Sequence, residues 1–170
     1  MERSLSKIYT SYSIFFALFL CFKPIYCFAT PQTIEFIASP ANVIDGDSLQ
    51  YQNHQIRIKG IDAPEYNQQC KNNKNELYDC GEISKQYLIS LVNAQTVTCK
   101  IISQDKFKRD LSICYINETD IATNIVKNGQ AISYLDTSYQ EEQKIAKTNK
   151  TGIWQGDFIH PRLFRILNFK

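Results

Sequence analysis

Ionisable side chains that could act on a phosphate group fall within one short stretch of the chain, namely Asp47, Arg57, Asp62 and Glu65. Two carboxylates can share one hard cation and leave coordination positions for water and a phosphate oxygen. An arginine between them offers a forked donor that matches the geometry of a phosphate. These residue types therefore predict chemistry on a phosphate-containing substrate, assisted by a cation.

Two strands are predicted to position the carboxylates. Residues 48–51 and 55–61 indicate two strands around the polar turn 52–54, and in the second strand Ile56 and Ile58 alternate with Arg57 and Lys59. We expect this arrangement to place Asp47 and Asp62 on adjacent strands.

A sharp turn is predicted directly after Asp62. Pro64 restricts Ala63 to an extended conformation, and the turn would direct Glu65 and the Ala63 carbonyl toward the same site. Asp-Gly-Asp and Asp-Ala-Pro-Glu are also common in ordinary turns, because Asp, Gly and Pro suit turn conformations. Each motif taken alone therefore leaves a purely structural interpretation open.

The remaining pattern predicts an α+β chain. Strands are expected at 33–38, 96–102 and 111–116, and helices at 82–93, 120–127 and 138–149. Short strands of this kind hide their edges in a small closed or partly open barrel. The tail from Trp154 to Lys170 has no pattern that places it.

Residues 1–29 resemble a secretory signal peptide. Arg3 and Lys7 precede an uncharged stretch, only 15 residues separate Lys7 from Lys23, and cleavage is expected near Ala29. The stretch is shorter than the roughly 20 apolar residues of a spanning helix. An uncleaved membrane anchor is the alternative. We therefore expect a secreted or periplasmic protein with one domain over residues 30–170.

Charge and cysteine content limit the function classes. The chain has 19 Lys and Arg against 17 Asp and Glu, and sixteen of each remain once residues 1–29 are removed. Zero net charge excludes binding to nucleic acid through global basicity. After cleavage four cysteines remain, which allow three pairings. In an oxidising compartment we favour Cys70–Cys80 and Cys99–Cys114, whereas in a reducing cytosol all four would be buried thiols.

Several blocks together resemble the staphylococcal (thermonuclease) nuclease family in order and spacing. They comprise residues 43–48, 56–65, 105–111 and 126–131, followed by Gly152-Ile153-Trp154. Tyr78-Asp79-Cys80-Gly81 is similar to an element of the exported bacterial branch. The resemblance extends from about Ala41 to Trp154. It implies a five-stranded OB-type β-barrel with about three helices, and nuclease activity on DNA and RNA.

The resemblance also implies roles for individual residues. By that similarity the ligands of a calcium ion (Ca²⁺) are the carboxylates of Asp47 and Asp62 and the carbonyl of Ala63. The catalytic residues would be Arg57 and Arg109, which hold the phosphate, and Glu65, which activates water.

Three further residues match positions around that site. Asp45 corresponds to an acid close to the metal, and Lys106 to a lysine in the nucleotide pocket. Phe107 stands where the family often has tyrosine, so a hydroxyl contact to the phosphate would be missing. We expect a monomer that prefers single strands, shows little sequence specificity and leaves 3′-phosphates. The alternatives are a non-catalytic OB-fold module that binds nucleic acid and an exported domain with a structural or adhesive role.

Overall fold

The structure is a computed structural model, which describes residues 32–135 and 137–168. The predicted signal peptide over residues 1–29 lies outside the described residues. Within those two ranges, no helix has the length and apolar character needed to cross a membrane.

A curled sheet forms the wall of the barrel. Its strands are β1 (Thr33–Ile37), β2 (Val43–Asp45), β3 (Ser48–Tyr51), β4 (His54–Ile58), β8 (Thr96–Gln104), β9 (Asp110–Ile116) and β10 (Thr119–Asp120). They follow the order β1-β8-β9-β4-β3-β2, with β10 paired to β9. Neighbouring strands are antiparallel except β4 and β9, which are parallel. Two small separate pairs join β5 (Ile61–Asp62) to β11 (Ile132–Ser133) and β6 (Cys70–Lys71) to β7 (Leu77–Tyr78).

Four α-helices accompany the sheet in the described part of the chain: α1 (Cys80–Val92), α2 (Ile121–Lys127), α3 (Gln140–Asn149) and α4 (Pro161–Asn168). The predicted α+β class with an OB-type barrel is confirmed. The first three helices lie close to the ranges predicted for them, 82–93, 120–127 and 138–149. The fourth lies in the tail that the sequence pattern does not place.

The core lies between the inner face of the sheet and helix α1. Leu88 and Val92 of α1 are fully buried together with Leu49, Ile56 and Val97 from the strands. Each buried aliphatic side chain of this kind contributes roughly 1.5–3 kcal/mol. Because β4 contributes Ile56 and Ile58 to this core, the intervening Arg57 points to the opposite face of the strand.

Both predicted disulfide bonds are present, Cys70–Cys80 and Cys99–Cys114. Cys99 and Cys114 are directly opposite each other on β8 and β9. Cys70–Cys80 joins β6 to the first residue of α1 and encloses the small β6–β7 hairpin. That hairpin lies within a segment whose sequence shows no strand periodicity, because each of its strands is only two residues long.

The expected placement of Asp62 needs one correction. It does not lie on the strand paired with the segment of Asp47. After β4 the chain turns at Gly60, whose φ of 82° suits glycine, and Asp62 then lies on β5, opposite Ile132 of β11. The two aspartates are instead brought together by Arg57, as described next.

Candidate active site

Arg57 is the centre of the site. Its side chain forms ion pairs with Asp47 and with Asp62, where Nη2 lies 2.8 Å from Oδ1 of Asp62. Nη2 also donates to the carbonyl of Ile61 at 3.2 Å. Arg57 is 8% exposed and Asp62 is fully buried. One guanidinium therefore connects carboxylates from two separate segments in the interior of the protein.

Asp47 is held in the turn between β2 and β3. Its backbone N–H donates to Oδ1 of Asp45 at 3.1 Å, which fixes the direction of the chain. A Cβ on Gly46 would lie 1.9 Å from Oγ of Ser84, so only glycine allows α1 to approach this turn. Oδ2 of Asp47 accepts a hydrogen bond from the backbone N–H of Ala63 at 2.6 Å. The turn that carries Asp45 and Asp47 is thereby attached to the segment 62–65.

Glu65 is positioned by a residue that sequence reasoning missed, Gln68. The N–H of Gln68 donates to the Glu65 carbonyl at 2.7 Å, and the Glu65 N–H donates to Oε1 of Gln68 at 3.2 Å. Gln68 is fully buried, and its Nε2 donates to the carbonyl of Ile159 at 2.6 Å. A Cβ on Gly81 would lie 1.7 Å from the Glu65 carbonyl oxygen, so glycine is required at the start of α1. Glu65 therefore lies on a tightly fixed turn next to the Asp47–Arg57–Asp62 group.

Arg109 belongs to the loop between β8 and β9. Its Nε and Nη2 both lie 2.8 Å from Oδ2 of Asp105, and its backbone N–H donates to Oδ1 at 3.0 Å. Burial acts to raise the pKa of Asp105, but hydrogen bonds from Arg109 and from the Phe107 N–H outweigh it and lower that pKa. Asp105 thus shapes the loop and orients Arg109, whose positive charge acts on Arg57.

Lys106 and Phe107 lie at the outer end of the same loop. The Phe107 ring is 66% exposed, with Nζ of Lys106 at 4.9 Å from its centroid and the Arg109 guanidinium carbon at 5.6 Å. An exposed aromatic ring between two cations can stack on a base next to a phosphate. Within the described residues, neither side chain forms a hydrogen bond or ion pair with Asp47 or Asp62.

A third arginine, also missed from the sequence, reaches the site from helix α4. Arg165 donates from Nη1 and Nη2 to Oδ1 and Oδ2 of Asp62, each at 3.0 Å. Nη1 also lies 2.5 Å from Oε1 of Glu65. No local motif could identify this residue, because 103 positions separate it from Asp62.

The buried charges alter two arginine pKa values in opposite directions. Burial lowers the pKa of Arg57, although the charges of Asp62 and Asp45 act to raise it. Burial also acts to lower the pKa of Arg165, but hydrogen bonds to Asp62 and Glu65 outweigh it and raise that pKa. Both guanidinium groups stay protonated at neutral pH, so the site retains its positive charges.

The donor set suits calcium. Within residues 32–135 and 137–168, no group of three or more His, Cys, Asp or Glu side chains is arranged to hold a metal ion. Asp47 and Asp62 nevertheless both face the positively charged Arg57, and a second guanidinium covers Asp62 and Glu65. The Asp47 and Asp62 carboxylates supply oxygen ligands, the type that a hard cation such as calcium prefers. Two carboxylates and one carbonyl would leave most of the coordination shell to water and substrate.

Comparison with known proteins identifies the family. The family model described as staphylococcal nuclease homologue matches residues 55–156, so the chain belongs to the staphylococcal nuclease family. The matched range contains Arg57, Glu65 and Arg109, whereas Asp47 precedes it and helix α4 follows it.

Individual relatives are more distant. The chain is similar to the succinoglycan biosynthesis protein ExoI of Rhizobium meliloti, with 29% identity over 78% of this chain and 72% of the relative. It is 28% identical to an uncharacterized endonuclease of Haemophilus influenzae over 66% of this chain and 62% of that protein. It is 26% identical to the probable staphylococcal-like nuclease CAN4 of Oryza sativa over 66% of this chain, but over only 21% of that protein. This chain therefore spans only part of the relatives that are named as nucleases.

Proposed function

We propose that the protein is a calcium-dependent nuclease that hydrolyses phosphodiester bonds in DNA and RNA. The observation that carries the proposal is the group of Asp47, Asp62 and Arg57, in which two buried carboxylates share one guanidinium beside Glu65. Membership of the staphylococcal nuclease family supports it.

Each residue of this group has a chemical role in the proposal. Arg57 and Arg109 bind the scissile phosphate and stabilise the negative charge that develops on its equatorial oxygens, which is the largest expected contribution. Glu65 accepts the proton of the attacking water, and its fixed turn supports that role. Arg109 also stabilises the leaving 5′-oxygen, so the products carry 3′-phosphates.

The carboxylates of Asp47 and Asp62 and the carbonyl of Ala63 hold calcium in this proposal. Calcium would supply positive charge next to the phosphate when bound. Asp45 supports the site indirectly, because it accepts a hydrogen bond from the backbone of Asp47. Since few protein ligands are available, calcium binding is expected to be weak without substrate and tighter once a phosphate completes the shell.

The loop with Lys106 and Phe107 favours single-stranded substrates. Stacking on an exposed aromatic ring requires an unpaired base and tolerates any sequence, so little sequence specificity is expected. The two disulfide bonds support a secreted or periplasmic location, where such bonds persist. We propose that the enzyme acts as a monomer.

Digestion of single-stranded DNA by the oxidised protein, with calcium and with chelator, tests the proposal. We expect calcium-dependent cleavage that leaves 3′-phosphates, is abolished in Arg57→Ala and is sharply reduced in Glu65→Gln. Glu141→Gln is the matched control for Glu65→Gln. The Glu141 side chain is 82% exposed and pairs with Lys144 on helix α3, not with a residue of the site. Binding of DNA by the folded protein without any cleavage would instead support the non-catalytic OB-fold module.

A further inference from the structure

Helix α4 introduces a positive charge where the proposed site requires a cation. The Arg165 guanidinium donates to both oxygens of Asp62, each at 3.0 Å, and to Glu65 at 2.5 Å. Oδ1 of Asp62 also accepts from Arg57 at 2.8 Å. One side chain therefore covers a proposed metal ligand and the proposed general base at the same time.

This contact and metal binding exclude each other. Both Asp62 oxygens accept hydrogen bonds from Arg165, so a divalent cation has to compete with this guanidinium for the buried carboxylate. A divalent cation on Asp62 would repel both guanidinium groups at this short distance. Arg165 is the one that can withdraw, because its side chain is 35% exposed whereas that of Arg57 is 10% exposed. The alternative, in which Arg165 is a third phosphate-binding arginine, would require it to leave Asp62 as soon as the metal binds.

Helix α4 is attached weakly enough to leave. Among its residues only Pro161 is buried, and the apolar side chains of Leu163, Ile166 and Leu167 are 49%, 56% and 57% exposed. These three share one stripe of the helix that faces solvent, whereas Arg165 lies on the opposite side with the buried Pro161 and the half-buried Phe164. An eight-residue helix has little stability by itself. Hydrogen bonds and ion pairs of Arg165 are thus a large part of what holds α4 in place.

The segment before α4 is attached more firmly. The carbonyl of Ile159 accepts a hydrogen bond from the buried Gln68, and the Phe158 ring packs against Trp154 with 5.0 Å between centroids. Displacement of α4 would therefore leave the helix tethered next to the site.

We infer that helix α4 is an autoinhibitory cap, in which Arg165 occupies the place of the divalent cation on Asp62, pairs with the proposed general base Glu65, and has to be displaced before the site can bind the cation. The identity of the cation rests on the proposed function. Helix α4 lies beyond the range that the family model matches, residues 55–156.

The first test measures calcium binding to the whole protein by calorimetry, in the absence of nucleic acid. Arg165→Ala should bind calcium about 10-fold more tightly than the parent protein, within the usual range of coupling between competing states. Arg165→Lys should fall between the two, because lysine keeps the charge but loses the bidentate contact. Arg162→Ala is the matched control on the same helix and should leave the affinity unchanged.

The second test follows hydrogen exchange of the backbone amides of α4. Saturating calcium should accelerate exchange over residues 163–167 in the parent protein, and Arg165→Ala should exchange fast with or without calcium. Equal calcium affinity of Arg165→Ala and the parent, or exchange in α4 that calcium leaves unchanged, would overturn the cap. If neither protein binds calcium at any concentration, with or without a phosphate-containing ligand, the proposed cofactor fails, and the competition inferred for Arg165 fails with it.

Discussion

Arg57 and Arg109 are both proposed to hold the substrate phosphate, but the protein positions them by different means. The side chain of Arg57 is 10% exposed and contacts carboxylates from two other segments of the chain. The side chain of Arg109 is 29% exposed and pairs with Asp105, four residues earlier in the same loop. The first arginine depends on the whole fold for its position, and the second depends on one hydrogen-bonded loop.

Two arginines with the same proposed role, phosphate binding, therefore differ in how strongly that role is coupled to the stability of the fold. Removal of Arg57 would leave Asp47 and Asp62 buried with one partner fewer, which is costly in a low-dielectric interior. Removal of Arg109 would leave Asp105 close to solvent, where water can replace the lost contact. Activity and stability should therefore respond together at Arg57 and separately at Arg109.

The largest effect is expected for Arg57→Ala. We expect no detectable cleavage and a loss of about 3–5 kcal/mol in the free energy of unfolding, because a buried ion pair is broken. Urea unfolding followed by circular dichroism measures the second quantity. A stable but inactive variant would show that the buried contacts of Arg57 do not support the fold, and the contrast with Arg109 would disappear.

Arg109→Ala should lose activity with little change in stability. Loss of one preorganised charge at the phosphate costs about 10²–10³-fold in turnover, whereas an exposed ion pair contributes at most about 1 kcal/mol to folding. Turnover and urea unfolding of the same preparation separate the two effects. Arg109→Lys should recover only part of the activity, since lysine lacks the forked donor.

Phe107→Ala should weaken binding of single-stranded DNA by about 1 kcal/mol or more, because a stacking surface is lost. Fluorescence anisotropy with chelator present measures this without cleavage. Leu77→Ala is a control with similar exposure, at 64% against 66%, and should bind as the parent protein does. Unchanged binding in Phe107→Ala would show that the Phe107 ring does not stack on the DNA, and would leave Arg109 as the proposed substrate contact of this loop.

The smallest effect is a pH dependence at Asp105. Its pKa is lowered in the folded protein, so the carboxylate stabilises the fold above its unfolded pKa of about 4, and this contribution is lost as the pH falls through the folded value. Asp105→Asn should therefore be less stable than the parent at pH 7, by less than about 1 kcal/mol. The difference should shrink in unfolding curves recorded at pH values below about 4. A difference that persists at acidic pH would attribute the effect to loop geometry rather than to charge.

The closeness of the side chains around Arg57 was predictable from the sequence, whereas their catalytic roles stay predictions. Asp47, Arg57, Asp62 and Glu65 are close in the chain, and the strands and turns between them have clear patterns. The pairing of Asp62 with β11 was not predictable, because it depends on a two-residue strand that is distant in the chain.

Residues that contact the site from distant parts of the chain could not be identified from the sequence. Gln68 reaches Ile159 across 91 positions, and Arg165 reaches Asp62 across 103. Neither residue belongs to a motif, and glutamine and arginine are common surface residues. Leu163, Ile166 and Leu167 share one stripe of α4 and nevertheless face solvent. Such contacts depend on tertiary structure and not on local pattern.

The two functions of Gln68 have a consequence for engineering the chain. Its amide fixes the turn of Glu65 and anchors the tail, so an insertion between residues 65 and 68 would disrupt both at once. The turn at 72–76 lies only a few residues further on, but its side chains from Asn73 to Glu76 are exposed, and Asn72 closes the turn through its own hydrogen bonds. A peptide tag or a fluorescent label is therefore best introduced at this exposed turn, where the Cys70–Cys80 bond separates the altered segment from the proposed catalytic carboxylates.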